Sequence, residues 1–118
     1  MRDHRKPRAF ELADALVVRV YEVTCSFPGE ERFGLVSQLR RASVSVPTNI
    51  VEGCARATKK EYLHFLQTAF ASLREVGYLL DLSRRLGFLH DPEAEAILSQ
   101  HDEAARTLGA LLQSLRQT

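Results

Sequence analysis

The sequence predicts an all-α protein, an up-down-up-down antiparallel four-helix bundle. Four segments repeat apolar residues every three or four positions, which is the spacing that lines one helical face. No segment shows the period of two that is typical of a half-buried strand. Because the links between the four segments are short, we expect each helix to run antiparallel to the next.

The first helix follows a basic arm, residues 1–8, which we expect to be flexible. Its apolar line covers residues 10–21, and the sequence SFPG at residues 26–29 ends it. The second segment, residues 27–56, reads as one amphipathic helix that ends near Cys54. Glu30 and Glu31 are expected at its start, because the positive end of a helix favours acidic side chains.

Pro47 lies inside this second helix and predicts a kink, because it removes a backbone donor and its ring approaches the carbonyl of Ser43. We expect the hydroxyl groups of Ser43 and Ser45 to bind nearby carbonyls. A polar stripe runs beside the apolar one, formed by Gln38, Arg41, Ser45, Asn49 and Glu52. We interpret Ser45 and Asn49 as residues that fix helix register, and we expect Glu52 to pair with Arg56.

The third helix begins at a capping pattern, Thr58 followed by Glu61, and its apolar face continues for about seven turns to Gly87. Three apolar residues lie outside the main apolar line of this helix, and two explanations for them remain open. They form a face that serves oligomerisation, or the helix is central and is covered by the rest of the bundle on most sides. These residues are Phe70, Leu79 and Leu82. The fourth helix is expected to be capped by Asp91, to hold Pro92 in its first turn, and to run to about Leu115.

Length and composition suit one domain, residues 1–118. Of these residues 45% are hydrophobic and 26% are charged, as is typical of soluble globular proteins. No apolar run approaches the length needed to span a bilayer, so we expect a cytoplasmic protein. The two cysteines, Cys25 and Cys54, are too few for a disulfide framework and lack metal-ligand spacing.

The inventory of chemical groups argues against an enzyme, a cofactor or a metal site. No histidine stands with another ligand at a helical metal-binding spacing, and neither a phosphate-binding loop nor a nucleophile elbow is present. One alternative is a carboxylate metal enzyme, in which Glu52 and Glu75 meet between the second and third helices.

Charge is uneven along the chain. The net charge is +1 overall, but it is +5 over residues 32–60 and −3 over residues 91–118. We predict a nucleic-acid-binding surface formed by Arg40, Arg41, Arg56, Lys59, Lys60, Arg84 and Arg85. Because aromatic residues do not interleave with these cations, binding should be directed at the backbone. The alternatives are a solvated face, or ion pairs between subunits with Asp102 and Glu103.

Three stretches carry a family resemblance: QLRRASVSVPTNIVEGCAR at residues 38–56, KKEYLHFLQTAFASLREV at 59–76 and LGFL at 86–89. They resemble the bacterial four-helix-bundle family that includes proteins encoded in intervening sequences of 23S ribosomal RNA genes. The most specific part contains the structural motif residues Gln38, Ser45, Pro47, Asn49, Glu52 and Gly53.

The same family includes the accessory variability proteins of diversity-generating retroelements, which assemble as barrel-shaped homopentamers. Those proteins bind nucleic acid and a reverse transcriptase through a basic surface. The resemblance therefore implies a homopentamer that binds RNA or DNA, with a reverse transcriptase as a further partner. It leaves open the other branch, in which the protein is a structural or adaptor oligomer of unsettled role that binds a protein partner.

Overall fold

A computed structural model describes residues 2–118 and contains four long helices. They are α1 (Arg8–Thr24), α2 (Leu35–Cys54), α3 (Lys59–Arg85) and α4 (Glu93–Arg116). Each helix packs against the next and α1 closes on α4, so the predicted all-helical four-helix bundle is confirmed for this part of the chain. The bundle measures 44 × 24 × 19 Å.

The core is a continuous stack of apolar layers contributed by all four helices. Its fully buried members include Leu16, Leu39, Ile50, Leu66, Leu73, Leu80, Ile97 and Leu108. Leu79 is also buried, while Phe70 and Leu82 are half-buried against the core. Helix α3 contacts α2 and α4, and this packing buries Leu79 but leaves Phe70 and Leu82 partly exposed, so both explanations for these residues remain predictions. No helix between residues 2 and 118 combines the length and apolarity that a bilayer span requires.

The predicted start of the second helix is wrong. A separate 3₁₀ turn, Gly29–Glu31, precedes α2, which begins only at Leu35. The reason is Gly34, whose backbone is non-helical (φ −107°, ψ −109°) and breaks the amphipathic pattern. Glu31 nevertheless serves the start of α2, because its carboxylate accepts a hydrogen bond from the Leu35 N–H at 3.3 Å.

Helix α2 continues through the buried Pro47. Thr48 and Asn49 donate side-chain hydrogen bonds to the carbonyls of Val44 (2.7 Å) and Ser45 (2.8 Å). These two side chains directly follow the proline and bind carbonyls of the turn that precedes it. Ser43 donates to a carbonyl one turn earlier, whereas the hydroxyl of Ser45 pairs with α3 instead.

The starts of α3 and α4 differ in how well the sequence signals them. Thr58 caps α3 as predicted: its hydroxyl oxygen accepts from the Glu61 N–H at 3.2 Å and donates to the Glu61 carboxylate at 2.9 Å. The prediction that Asp91 caps α4 is wrong, because α4 begins at Glu93 after Pro92. The Asp91 carboxylate binds Arg84 at 2.6 Å, and this ion pair directs it to α3.

Candidate functional site

The up-down-up-down topology brings both described termini and the α2–α3 turn to one end of the bundle. The Arg2 N–H donates to the carbonyl of Cys54 at 2.8 Å, and Lys59 Nζ donates to the carbonyl oxygen of Thr118 at 2.8 Å. We call this region the basic end, because it contains Arg2, Arg5, Lys6, Arg8, Arg56, Lys59, Lys60 and Arg116.

The basic end also contains acidic residues, among them Asp3, Glu11, Glu52 and Glu61, and the first two are paired within the arm and the first turn of α1. Asp3 binds Arg5 at 3.1 Å, and hydrogen bonds from Arg5 hold the pKa of the Asp3 carboxyl below its usual range. Glu11 binds Arg8 at 3.3 Å. Other cations of the basic end have no carboxylate within 4.0 Å among residues 2–118: Arg2, Lys6, Arg56, Lys60 and Arg116.

Lys59 and Lys60 occupy the first two positions of α3. The positive end of the helix dipole favours anions there, and a cation in the first turn is unfavourable by about 0.3–1 kcal/mol at a surface site. The free backbone N–H groups of this turn also point toward solvent at the same end. Lysines at this position therefore add to a positive potential that an external anion would neutralise.

Two guanidinium groups at the basic end lie over aromatic rings of α3. The Arg2 guanidinium carbon is 4.2 Å from the ring centre of Tyr62, and that of Arg56 is 4.6 Å from the ring centre of Phe65. The predicted pair between Glu52 and Arg56 does not form, because Arg56 lies over the ring instead. Burial raises the pKa of the Tyr62 hydroxyl, so this ring stays neutral at physiological pH.

Gly53 explains why the two rings come so close to the end of α2. A Cβ atom on Gly53 would lie 3.0 Å from Cβ of Phe65 and 3.1 Å from Cδ1 of Tyr62. The missing side chain thus lets α2 and α3 approach at the basic end. Sequence reasoning missed Arg2 because it lies in the arm; the available signal was the pair of aromatic residues three positions apart on α3.

Two of the predicted binding residues lie at the opposite end of the bundle and are paired. Arg84 binds Asp91 at 2.6 Å, and Arg85 binds Asp81 at 3.0 Å. At 1.5 Å per residue, Arg84 lies about 38 Å along α3 from Lys59. The structure therefore does not bring all seven predicted cations onto one surface.

Arg40 bridges α2 to the end of α1. Its guanidinium donates to the hydroxyl of Thr24 at 2.9 Å and to the carbonyl of Tyr21 at 3.3 Å, and it lies 4.5 Å from the Tyr21 ring centre. A cation that binds the last carbonyls of a helix is favourable for its dipole. These contacts give Arg40 a structural role between two helices.

Arg41 lines a polar groove of about 550 Å³ between α2 and α3. The groove also contains Phe33, Gly34, Gln38, Ala42, Ser45, Ser72 and Glu75. The hydroxyl groups of Ser45 and Ser72 are 2.9 Å apart, and Asn49 donates to the Ser45 hydroxyl at 3.0 Å. The bond between Ser45 and Ser72 links α2 to α3, and Asn49 supports it from within α2, as expected of residues that fix helix register.

Glu52 and Glu75 do not meet. Because Ser45 lies opposite Ser72 in antiparallel helices, Glu75 is level with about residue 42. Glu52 is ten positions further along α2, which corresponds to about 15 Å. The carboxylate pair needed for a metal enzyme is therefore not assembled within this chain.

Comparison with known proteins identifies related sequences and a related structure. A profile of the family described as "23S rRNA-intervening sequence protein" matches residues 5–110. A crystal structure of a protein of unknown function from the S23 ribosomal protein family of Bacteroides thetaiotaomicron is similar to this fold, with a TM-score of 0.81 and 20% identity. The alignment covers 89% of this chain and 95% of that chain. No curated protein matches with significance.

Proposed function

The chain belongs to the 23S rRNA-intervening sequence protein family, and we propose that it is a non-enzymatic bundle that binds the phosphate backbone of RNA or DNA through its basic end. One observation carries the proposal: cations without carboxylate partners, among them Arg56 and Lys60, gather at one end together with the start of α3. Phosphate groups would neutralise this charge and release counterions.

The charges at the opposite end of the bundle also favour binding at the basic end. The opposite end carries acidic residues of the α1–α2 and α3–α4 turns, and the two arginines at the end of α3, Arg84 and Arg85, are already paired. Arg32 is the arginine of these turns without a carboxylate within 4.0 Å among residues 2–118. An approaching polyanion is therefore attracted more strongly to the basic end of a bundle 44 Å long than to the other end. The contacts are to phosphate groups, so little sequence specificity is expected.

The test is binding of fluorescent duplex DNA and structured RNA over a salt series. For each phosphate contact on duplex DNA, the slope of log affinity against log salt steepens by about 0.9. Arg56→Gln with Lys60→Gln should remove nearly two phosphate contacts and make that slope correspondingly less steep. The matched control, Arg84→Gln with Arg85→Gln, removes the same charge at the opposite end and should change the slope little. Absent or salt-independent binding by the native protein would reject the proposal.

We also propose assembly as a barrel-shaped homopentamer, as the family resemblance implies. Several large apolar side chains of α1 and α2 are exposed in the isolated chain: Val18 (58%), Tyr21 (42%), Val44 (38%) and Val51 (37%). Arg40 places its side of α2 beside Tyr21 of α1, and Val44 lies one turn further along the same side of α2, whereas Val51 is about 16 Å along the helix from Arg40. Light scattering should give five times the mass of one chain, and Val18→Glu should reduce it.

The second candidate function is an adaptor that binds a protein partner, and a reverse transcriptase is one such partner. The observation in its favour is Phe33, which is 88% exposed on the rim of the groove that contains Arg41. Under this reading, Phe33→Ser and Arg41→Glu would weaken partner capture and leave salt-dependent nucleic-acid binding unchanged. Arg41 is the better residue for a charge reversal, because reversing the charge of Arg40 would also break its contact between α1 and α2.

A further inference from the structure

We propose that Arg2 and Arg56 form a clamp for neighbouring phosphate groups of one nucleic-acid strand, so that the N-terminal arm belongs to the binding site. This inference rests on the proposed function and names the residues that would make its most specific contacts. It differs from a general basic patch, because it depends on the planar geometry of two guanidinium groups and not on charge alone.

The positions of the two arginines follow from α3. Tyr62 and Phe65 are three residues apart, so their side chains lie on the same helical face with Cβ atoms about 5–6 Å apart. Arg2 lies over the first ring and Arg56 over the second. The two guanidinium groups come from different parts of the chain, the arm and the end of α2, and α3 supports both of them side by side.

The positions of the two guanidinium groups over the rings leave their donors available. A guanidinium that stacks on a ring uses its flat face, while its five N–H groups point outward in its own plane. Neither Arg2 nor Arg56 makes a side-chain hydrogen bond or ion pair with any residue in 2–118. Each can therefore donate a bidentate pair of hydrogen bonds to phosphate oxygens.

The arm is held in place before any ligand binds. The Arg2 N–H bonds to the Cys54 carbonyl at 2.8 Å, so the arm docks on the last turn of α2. Further along, the ring of His4 packs edge-on against Phe10 with 4.9 Å between ring centres. A side chain that is already positioned loses less conformational freedom on binding, which favours affinity.

The surroundings favour phosphate over a single carboxylate. Lys59 and Lys60 begin the same helix that carries the two rings, so the positive end of α3 lies less than one turn from Tyr62. A phosphodiester strand presents a charge at every nucleotide and can occupy both guanidinium groups and the lysines together. An isolated carboxylate brings a single negative charge to this group of cations.

The test keeps the net charge constant. Arg2→Lys and Arg56→Lys retain the cation but lose the planar fork. The double variant Arg84→Lys with Arg85→Lys is the matched control, since both arginines lie at the opposite end of the bundle and are paired with carboxylates. Affinity for a fluorescent single-stranded RNA of about 12 nucleotides would be measured by anisotropy. The Arg2→Lys, Arg56→Lys variant should bind about tenfold more weakly, whereas the Arg84→Lys, Arg85→Lys variant should bind like the native protein.

The outcomes separate the clamp from the proposed function. Native protein that does not bind RNA in a salt-dependent way would overturn both. Strong, salt-dependent binding that the Arg2→Lys, Arg56→Lys variant retains would overturn the clamp and leave the basic end as the binding surface. Equal losses in this variant and in the Arg84→Lys, Arg85→Lys control would also overturn the clamp, because the effect would then not depend on the two arginines over the rings. Circular dichroism melts check that all variants keep the native fold.

Discussion

Gly77 of α3 makes room for the imidazole ring of His101 on α4. A Cβ atom on Gly77 would lie only 2.5 Å from Nε2 of His101. In this space Nε2 approaches the Leu73 carbonyl to 2.9 Å, while Nδ1 lies 3.1 Å from the Asp102 carboxylate. The ring is buried, and each of its nitrogen atoms lies beside an acceptor. The absence of a side chain at Gly77 therefore allows His101 of α4 to make a polar contact with α3.

Gly77→Ala should destabilise the bundle by about 1–2 kcal/mol. The added methyl group collides with a ring that cannot move without losing its contact with the Leu73 carbonyl, and overpacking of this kind costs about 1–3 kcal/mol. The better helix propensity of alanine offsets up to about 1 kcal/mol of that cost. Urea unfolding followed by circular dichroism measures the difference.

Gly109→Ala is the matched control for this prediction. Gly109 is also a helical glycine, but a Cβ atom there would lie at an ordinary 3.6 Å from the ring of Phe70. The gain in helix propensity should therefore dominate and stabilise the protein by up to about 1 kcal/mol. If both glycine variants shift stability in the same direction and by the same amount, steric collision with His101 is not the cause.

Thr58→Ala should lower the free energy of unfolding by about 1 kcal/mol, because the hydroxyl group of Thr58 satisfies a backbone N–H at the start of α3. Thr68→Ala removes an exposed threonine hydroxyl from the middle of the same helix and should be neutral or stabilising. Thermal melts of the two variants compare them directly. A larger loss for Thr68→Ala would contradict the capping role.

The hydroxyl pair of Ser45 and Ser72 should show energetic coupling. Each alanine variant leaves the other half-buried hydroxyl without its partner across the helix interface, whereas the double variant removes both. Coupling of about 0.5–1.5 kcal/mol is expected from a double-mutant cycle measured by urea unfolding. Strictly additive losses would show that solvent replaces this bond at no cost and that other contacts fix the register.

The two thiols should differ in reactivity. Cys25 is exposed, whereas Cys54 is 1% exposed and burial raises the pKa of its thiol. A raised pKa lowers the thiolate fraction at neutral pH, and the thiolate is the reactive form. Iodoacetamide should therefore alkylate one cysteine per native chain and both in denaturant, as counted by mass spectrometry. Equal native rates would show that the end of α2 opens readily.

The sequence was sufficient to predict the helices, because apolar periodicity and the Thr58 cap are local signals. It failed at Glu30 and Glu31, where the helical pattern extends past a backbone break at Gly34. It also failed at Asp91, which has the right position for a cap but is bound by Arg84. In both places a contact or backbone angle that periodicity does not encode decides the boundary.

The candidate site was harder to predict, because it depends on which side chains meet in three dimensions. Arg84 and Lys59 are basic residues of the same helix, but they lie at its opposite ends. A spacing of four favours a pair between Glu52 and Arg56, yet Arg56 lies over the ring of Phe65 and so contacts α3. The role of Arg2 depends on the contact between the arm and the end of α2, which the sequence does not indicate.

The bond from Lys59 to Thr118 and the bond from Arg2 to Cys54 place both described ends of the chain at the basic end. An affinity tag fused at either terminus would therefore sit on the proposed binding surface and compete with a ligand. A circular permutant avoids this problem by moving the new ends elsewhere. Opening the chain at the exposed turn that contains Gly87 puts a tag at the far end of the molecule and leaves the basic end accessible.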